Sequence, residues 1–443
     1  MTRRARKSLA LLALFGALAG FYAATFSFRS ISDSSLNSLQ TRALIEHGDI
    51  DLAAYPETET FVRPDLVARQ VVPRDDAVYS IYGAGISIVA APIYAPLIHL
   101  GVSEALLQGT VGVLFVTGSV VLLYALLLRI VPAVTASAAT AIFAFGTTMW
   151  TVASMAFFPQ GPVVFFECFG LMGLFSRKTW GPAVAGFGLG TATFIRPSAA
   201  IPLLLVGGLY LVQDRRQAAM FALGAALPLF AVVLQNRVFW GSWFSGGYSE
   251  HGVGFRAPWP SSLFRILFGW WRGIFVYSPV LLISVAGLLI VARRPKGFIE
   301  RRLLVLGLSS LVTIVVTSKW SAWHGGLHQF GYRLLIEILP FLIILGAFAV
   351  SHVPRLVPTA MLLGIVSILT MTWGAAPSRN GWDGKLFARD FADTSIGQAW
   401  IVFLDHPWEG LARLVGVASL AMLMILLSRF FKSASSPELA TEA

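Results

Sequence analysis

One acidic residue stands close behind the first hydrophobic segment of the chain. Asp33 lies in the sequence SDSSLN (residues 32–37), near the start of a polar stretch that runs from residue 27 to residue 78. Its carboxylate could cap the helix that follows by accepting backbone N–H groups. It could also remove a proton from a hydroxyl group as a general base, provided that it faces a pocket. The residues around Asp33 leave both roles open.

Basic side chains near the ends of hydrophobic segments could bind an anion. An arginine at the edge of the hydrocarbon layer is unfavourable unless it is paired, and its planar guanidinium group matches the oxygens of a phosphate. The candidates for phosphate binding are Arg74, Arg196, His324 and Arg333. Arg333 could instead reach back to the membrane surface, and Glu337, one helical turn further on, could neutralise it.

Aromatic side chains are concentrated between the hydrophobic segments. Flat rings there could stack on a sugar ring or on an isoprenoid chain, although tyrosine and tryptophan are also expected as a belt at a membrane surface. The candidates for contact with sugar or lipid are Tyr79, Tyr82, Tyr248, Trp320, Trp323 and His328. Glycines among them, such as Gly325 and Gly326, permit the close turns of a shaped binding loop.

The sequence lacks other recognisable catalytic motifs. His47, Asp49 and Asp51 could bind a metal ion, but no second group of ligands stands at a suitable spacing, so we predict solvated turn residues and no metal site. A Walker motif, a nucleotide-binding glycine loop, a zinc-ligand spacing and a Ser-His-Asp arrangement do not occur. A divalent cation is left open as a further ligand, and no other cofactor is predicted.

Hydrophobic helices must position these residues. The 443-residue chain is 56% hydrophobic and only 12% charged, whereas a soluble domain carries about 25% charged residues. Segments of the ~20 apolar residues needed to cross a bilayer recur from end to end. The sequence therefore predicts an all-α polytopic membrane protein, with about 11 to 13 transmembrane helices by this length rule. The single cysteine, Cys168, excludes an internal disulfide bond.

Basic residues in short loops predict the orientation. Lys and Arg are enriched in short cytoplasmic loops, and here they precede the first hydrophobic segment and fill the loop at residues 293–302. The net charge of +11 is thus explained by topology, and we predict no binding to nucleic acid. We expect a cytoplasmic amino terminus, a retained first segment and one domain over residues 1–432. The predicted outer loops are 27–78, 235–272, 318–333 and 374–408, and residues 433–443 are predicted to be a disordered cytoplasmic tail.

The region between residues 84 and 150 does not fit a simple alternation of spans. It holds three apolar segments, at 84–100, 105–128 and 133–149. Three spans that start outside would place residues 154–160 inside and would upset the later assignments. Either one segment is re-entrant, or one later short segment does not span.

In the order of its motifs the chain resembles the GT-C superfamily of membrane glycosyltransferases, near the bacterial branch of protein mannosyltransferases and aminoarabinose transferases. The matching segments are Asp33, Leu44–Tyr55, Tyr79–Gly85, Ala90–Pro96, Arg196-Pro197, Gly273–Pro279, Trp323–Gly326 and Gly331–Arg333. Tyr332 stands where this family usually has proline, and Gln160 where it often has histidine. Asp33 is followed by Ser34, whereas protein mannosyltransferases commonly have a second acid.

The resemblance implies a GT-C bundle whose long first outer loop carries the catalytic base. It implies inverting transfer of a sugar from a polyprenyl-phosphate donor to a glycan, lipid or protein of the cell envelope. The reaction would occur at the outer face of the bacterial cytoplasmic membrane, among membrane lipids. Asp33 would be the base, and Arg333, Arg74, His324 and Arg196 would bind the donor phosphate.

Two other classes of protein would use the same residues. A transporter or flippase of a lipid-linked sugar would bind the donor without making a bond. Transporters tend to contain two related halves with broken helices at matching positions, and this sequence shows no internal repeat. The other alternative is a non-catalytic partner in a glycosyltransferase complex.

Overall fold

The computed structural model describes most of the chain as a bundle of helices with one short β-hairpin. The described residues are 2–26, 32–56, 70–74, 76–247, 254–293, 295, 297–326, 329–375 and 394–432. Tyr248, His328 and the predicted tail at 433–443 lie outside them.

Seventeen α-helices and two strands are described. They are α1 (Arg3–Ala24), α2 (Ser32–His47), β1 (Val71–Arg74), β2 (Ala77–Ser80), α3 (Gly85–His99), α4 (Glu104–Ile130), α5 (Ala133–Phe145), α6 (Gln160–Leu174), α7 (Gly181–Ile195), α8 (Ala200–Gln213), α9 (Arg215–Trp240), α10 (Ser261–Phe268), α11 (Ile274–Tyr277), α12 (Ile283–Arg293), α13 (Phe298–Lys319), α14 (Leu339–His352), α15 (Val357–Gly374), α16 (Ser395–Asp405) and α17 (Pro407–Lys432). Short 3-10 turns precede α8, α12, α14 and α15, and a π-helical turn (Met149–Ala153) follows α5.

The fold is that of an all-α polytopic membrane protein, as the composition predicts. Five helices are long and apolar enough to cross a membrane. They correspond to α1, α4, α9, α15 together with the 3-10 turn before it, and α17. Seven further apolar helices have 10–17 residues. The antiparallel hairpin of β1 and β2 was not predicted, because its two strands of four residues leave no distinct pattern in a long polar stretch.

Helix α3 explains why the simple alternation of spans fails. At its start, Gly85 packs against the backbone of Phe194, at the end of α7. Further along, the hydroxyl groups of Tyr94 and Ser38 share a hydrogen bond at 2.7 Å, which joins α3 to α2. The first turns of α4 also bond to α2. Both ends of α3 therefore lie on the side of the bundle that carries α2, which we call the α2 face. Residues 84–100 do not cross the bundle.

The segment at residues 154–160 lies on the α2 face as well. The Asn37 side chain donates a hydrogen bond of 3.0 Å to the carbonyl oxygen of Phe157. Apart from α3, the long and short apolar helices of the described residues are α1, α4 to α9, α12, α14, α15 and α17. Of the two explanations considered above, the contacts of α3 favour the first, a re-entrant segment in this region.

Glycine allows close helix crossings within the bundle. A Cβ atom at Gly186 in α7 would overlap the carbonyl oxygen of Phe221 in α9. A Cβ atom at Gly224 in α9 would in turn overlap the carbonyl oxygen of Ala183 in α7. Helix association in lipid has no hydrophobic drive of its own, so small residues that let two backbones approach are a main source of packing energy.

Replacing Gly224 by leucine should destabilise the α7–α9 crossing. Overpacking of this kind costs about 1–3 kcal/mol, which should lower the thermal unfolding midpoint of the purified protein in detergent. The matched control is Gly208→Leu in α8, because a side chain at Gly208 meets no atom within 4 Å. Equal losses in the two variants would contradict the tight crossing.

Candidate functional site

The structure brings Asp33 and Arg333 together in an ion pair on the α2 face. The Arg333 Nη2 atom donates to the Asp33 Oδ2 atom across 300 positions of sequence. Only 14% of the Asp33 side chain and 6% of the Arg333 side chain are exposed. Helix α2 begins at Ser32, so Asp33 lies within the first turn, where the helix dipole favours an acid. The carboxylate binds Arg333.

Further contacts hold the two charged groups. The Arg333 guanidinium lies over the ring of Phe158, 3.9 Å from its centroid, and its Nη1 atom donates to the carbonyl oxygen of Gly325 at 3.4 Å. The Gln70 side-chain amide donates to the Asp33 Oδ1 atom at 3.4 Å. The Nε atom of Arg333 is buried without a hydrogen-bond partner among the described residues.

Helix α2 is docked by a buried polar face. The Ser34 hydroxyl donates to the Gln108 side chain of α4 at 2.6 Å and accepts from the backbone N–H of Phe157 at 2.8 Å. Asn37 binds the carbonyl oxygen of the same phenylalanine. Gly48, with a φ of 74°, follows the end of α2, where glycine adopts the left-handed conformation without a steric penalty. These directional bonds fix the position of Asp33 relative to the bundle.

The segment before Arg333 is a loop shaped by glycine. Gly325, Gly326 and Gly331 have φ values of 72°, 102° and 91°, which residues with a Cβ atom rarely adopt. A buried side chain, Arg272, lies inside this loop. It donates to the carbonyl oxygens of His324 at 3.0 Å, Gly326 at 2.7 Å and Gln329 at 2.9 Å.

Arg272 is charged at neutral pH despite its burial. Only 1% of the residue is exposed, and desolvation lowers the pKa of its guanidinium group to about 10, with a smaller contribution from the nearby charge of Arg333. The sequence analysis missed Arg272 as a functional candidate, and it also missed Gln70. Arg272 had the available signal, a lone arginine before a hydrophobic segment, whereas nothing in the sequence marks Gln70.

His324 lies among tryptophan rings. Its ring centroid is 5.2 Å from that of Trp271 and 5.9 Å from that of Trp323. Its Nδ1 atom accepts a hydrogen bond from the backbone N–H of Gly326 at 3.2 Å, so in the neutral form the proton is on Nε2. Burial lowers the pKa of His324, and Arg272 lowers it further. At neutral pH this histidine therefore offers a hydrogen bond rather than a positive charge.

Glu337 does not pair with Arg333, and the sequence-based expectation that it could do so is wrong. It accepts hydrogen bonds from Arg196 and, at 2.7 Å, from the hydroxyl of Ser198. The reason is local geometry. Residues 334–338 form turns and a short 3-10 helix, so Glu337 does not lie one α-helical turn from Arg333. Arg196 is thus already paired with a carboxylate.

The candidates from the hairpin and the segment after it lie in two places, at the end of α9 and beside α2. Arg74 is exposed and donates to the carbonyl oxygen of Phe239 at 3.2 Å, while the Tyr79 ring lies 5.4 Å from that of Phe239. Both therefore lie at the end of α9. Tyr82 packs near α2 against the apolar side chains of that helix.

Of the two tryptophan candidates, only Trp323 lies with His324. Its ring centroid is 6.3 Å from that of Trp271. Trp320 contacts Phe255 instead, at 5.3 Å. In the part of the chain that the structure describes, no three His, Cys, Asp or Glu residues are grouped so that they could hold a metal ion.

The fold has a counterpart among solved structures. The chain is similar to ArnT from Cupriavidus metallidurans, whose crystal structure was determined in the apo state, with 15% sequence identity and a TM-score of 0.54. The alignment covers 96% of this chain and 76% of that one. No protein-family model matches the chain, and no curated protein matches it by sequence. At this level of identity the likeness establishes the fold alone, and the ArnT-like fold expected from the motifs is confirmed.

Breaking the Asp33–Arg333 pair should destabilise the protein independently of any activity. Asp33→Asn leaves a buried guanidinium without its carboxylate, and the loss should be about 3 kcal/mol, the lower end for a buried pair. Arg333→Gln should be similar, and the double variant should lose less than the two singles combined. Thermal or chemical unfolding of all four proteins measures this coupling. Strict additivity would contradict the observed pair.

The burial of His324 predicts a pH dependence of stability. Its pKa is lowered in the folded protein, so below about pH 6.5 the unfolded chain binds the proton more readily. Stability should therefore decline as the pH falls below that value, and the decline should be smaller in His324→Gln. Unfolding midpoints between pH 7.5 and 5 test this, with exposed His99→Gln as the control. Parallel curves for wild type and His324→Gln would contradict it.

Proposed function

We propose that this protein is a membrane glycosyltransferase that moves a sugar from a polyprenyl-phosphate donor to a hydroxyl group of a cell-envelope acceptor. The observation that supports this most is the pairing of Asp33 with Arg333. It combines a group that can take a proton with a group that can bind a phosphate. The two lie together on one face of a bundle with the ArnT-like fold.

In the proposed reaction Asp33 removes the proton from the acceptor hydroxyl as its oxygen attacks the anomeric carbon of the sugar. The bond from that carbon to the phosphate oxygen breaks, and polyprenyl phosphate leaves with the bonding electrons. Attack from the face opposite the leaving group inverts the anomeric centre. The leaving phosphate needs charge stabilisation rather than a proton, because its own pKa is low.

Arg333 supplies that stabilisation. The donor is a phosphodiester with one negative charge, and the leaving polyprenyl phosphate gains a second charge as the bond breaks. A guanidinium group interacts more strongly with the greater charge, so Arg333 favours the transition state over the bound donor. Its Nε atom is buried and has no described partner, so in this proposal it would bind a phosphate oxygen once donor binding opens the site, while Nη2 faces Asp33.

Loop composition supports a site on the outer face of the cytoplasmic membrane. The loops at the ends of the helices opposite α2 are short, and they carry or adjoin basic residues: Arg129, Arg177, Lys178, Arg215, Arg216, Arg293, Arg301, Arg355 and Arg429. Short basic loops are typical of the cytoplasmic side. The α2 face then lies outside, where the donor and the acceptor of the envelope would meet.

The remaining candidates have auxiliary roles in this proposal. Trp323 and His324 line the loop next to Arg333, where a ring and the Nε2 hydrogen could contact the sugar. Arg74, Tyr79 and Tyr82 belong to the hairpin and the segment after it, and they would contact donor lipid or acceptor. Arg196 could bind phosphate only by exchanging its Glu337 partner. It is therefore the weakest of the four candidates for phosphate binding.

Asp33→Asn should abolish sugar transfer in proteoliposomes supplied with polyprenyl-phosphate hexoses or pentoses. Loss of a general base costs about 10²- to 10⁴-fold in rate, while the amide keeps the size of the side chain. The measurement is polyprenyl phosphate released per amount of folded protein, because the same change also weakens the fold. Exposed Asp76→Asn, in the turn of the hairpin, is the control.

Full activity of Asp33→Asn would rule out the proposed role of this carboxylate. Movement of the donor across the membrane without release of polyprenyl phosphate, in wild type as in the variant, would instead indicate a flippase.

A further inference from the structure

We propose that Arg272 is a positioning residue that places Arg333 against Asp33. This inference rests on the proposed function, and it adds a residue that contacts neither donor nor acceptor. Arg272 lies between α10 and α11, more than 50 positions before the loop that it binds. With 1% of the residue exposed, its guanidinium is not open to a ligand.

Arg272 makes several hydrogen bonds to one loop. Its Nε atom donates to the His324 carbonyl, Nη2 to the Gly326 carbonyl and Nη1 to the Gln329 carbonyl. Nη1 also donates to the carbonyl of Trp271, at 3.0 Å. All three guanidinium nitrogens are thus used, and three loop carbonyls are drawn to a single planar group.

The loop that Arg272 binds also contacts Arg333. Gly325 stands between two of the bound positions, and its carbonyl oxygen accepts from the Arg333 Nη1 atom at 3.4 Å. At the other end of the loop, Tyr332 is fixed by a hydrogen bond of 2.6 Å between its hydroxyl and that of Ser278. Arg333 is therefore held between a carbonyl that Arg272 helps to orient and a neighbouring residue fixed by Ser278, directly after α11.

The chemistry of the arginine side chain suits Arg272 to this role. A guanidinium group carries five N–H donors in a rigid plane, whereas the ammonium group of lysine has three donors around one atom. Only the planar group can reach carbonyls spread over residues 324–329 together. Arg272 also keeps its positive charge, although the nearby charge of Arg333 lowers its pKa. A second positive group beside Arg333 increases the attraction of the site for a phosphate.

The decisive test uses no substrate. The stability cycle of Asp33→Asn and Arg333→Gln should be repeated in an Arg272→Lys background, which keeps the charge and loses the planar fork. We expect the coupling between positions 33 and 333 to fall by at least half. Arg256→Lys, an exposed arginine of the same outer segment, is the control background and should leave the coupling unchanged. An undiminished coupling in Arg272→Lys would overturn the inference.

Binding of polyprenyl phosphate alone gives a second readout. Arg272→Lys should weaken binding about tenfold in the wild-type background and not at all in the Arg333→Gln background, because it acts through Arg333. Equal weakening in both backgrounds would mean that Arg272 acts by itself, against the inference. Wild-type affinity in Arg333→Gln would instead count against the proposed function, while the stability cycle would still decide the role of Arg272.

If Arg272→Lys does not fold, the loop can be altered from the other side. Gly326→Ala places a Cβ atom at a φ of 102° and strains the loop at one of the carbonyls that Arg272 binds. The coupling between positions 33 and 333 should fall in this variant too. An unchanged coupling would again overturn the inference.

Discussion

The buried ion pair of Asp33 and Arg333 is the interaction on which the arrangement of the outer elements depends. Both side chains are largely buried, and each ion has lost hydration that is worth several kcal/mol. Attraction between the two offsets that loss only if they stay in contact with good geometry. Because the residues are 300 positions apart, the fold has to hold two separate backbone segments in place for this one contact.

Both segments are held by directional polar bonds that meet at two adjacent phenylalanines. The backbone of Phe157 binds Ser34 and Asn37 of α2, and the ring of Phe158 lies under the Arg333 guanidinium. The two phenylalanines follow the π-helical turn at Met149–Ala153, a type of irregularity that often occurs at functional sites. Because Phe157 and Phe158 are adjacent, a shift of these two residues would move the carboxylate and the guanidinium together. The ion pair would then stay intact, and the two phenylalanines determine where it lies in the bundle.

The sequence predicts the bundle well because contact with lipid is recorded in hydropathy, residue by residue. It also marks Asp33 and Arg333 singly, since an isolated charge at a membrane edge is unusual. It does not predict their pairing, because a contact between distant segments leaves no local pattern. The apolar content of a segment also does not say whether the segment crosses the membrane or lies along it, so α3 resembled a span. The expected partner of Arg333, Glu337, was wrong because the argument assumed an α-helix where the chain forms turns.

If the proposed function holds, the charges around the pair give a reason for the base and the cation to be in contact before substrate arrives. Arg196 is matched by Glu337, and Arg272 binds backbone carbonyls, so Arg333 is the cation that the reaction can redistribute. In the proposed transfer Asp33 becomes neutral when it takes the acceptor proton, and its attraction for Arg333 falls. At that moment the departing phosphate gains negative charge. One guanidinium can therefore pass from the carboxylate to the phosphate as the bonds change, so that proton removal and leaving-group stabilisation assist each other.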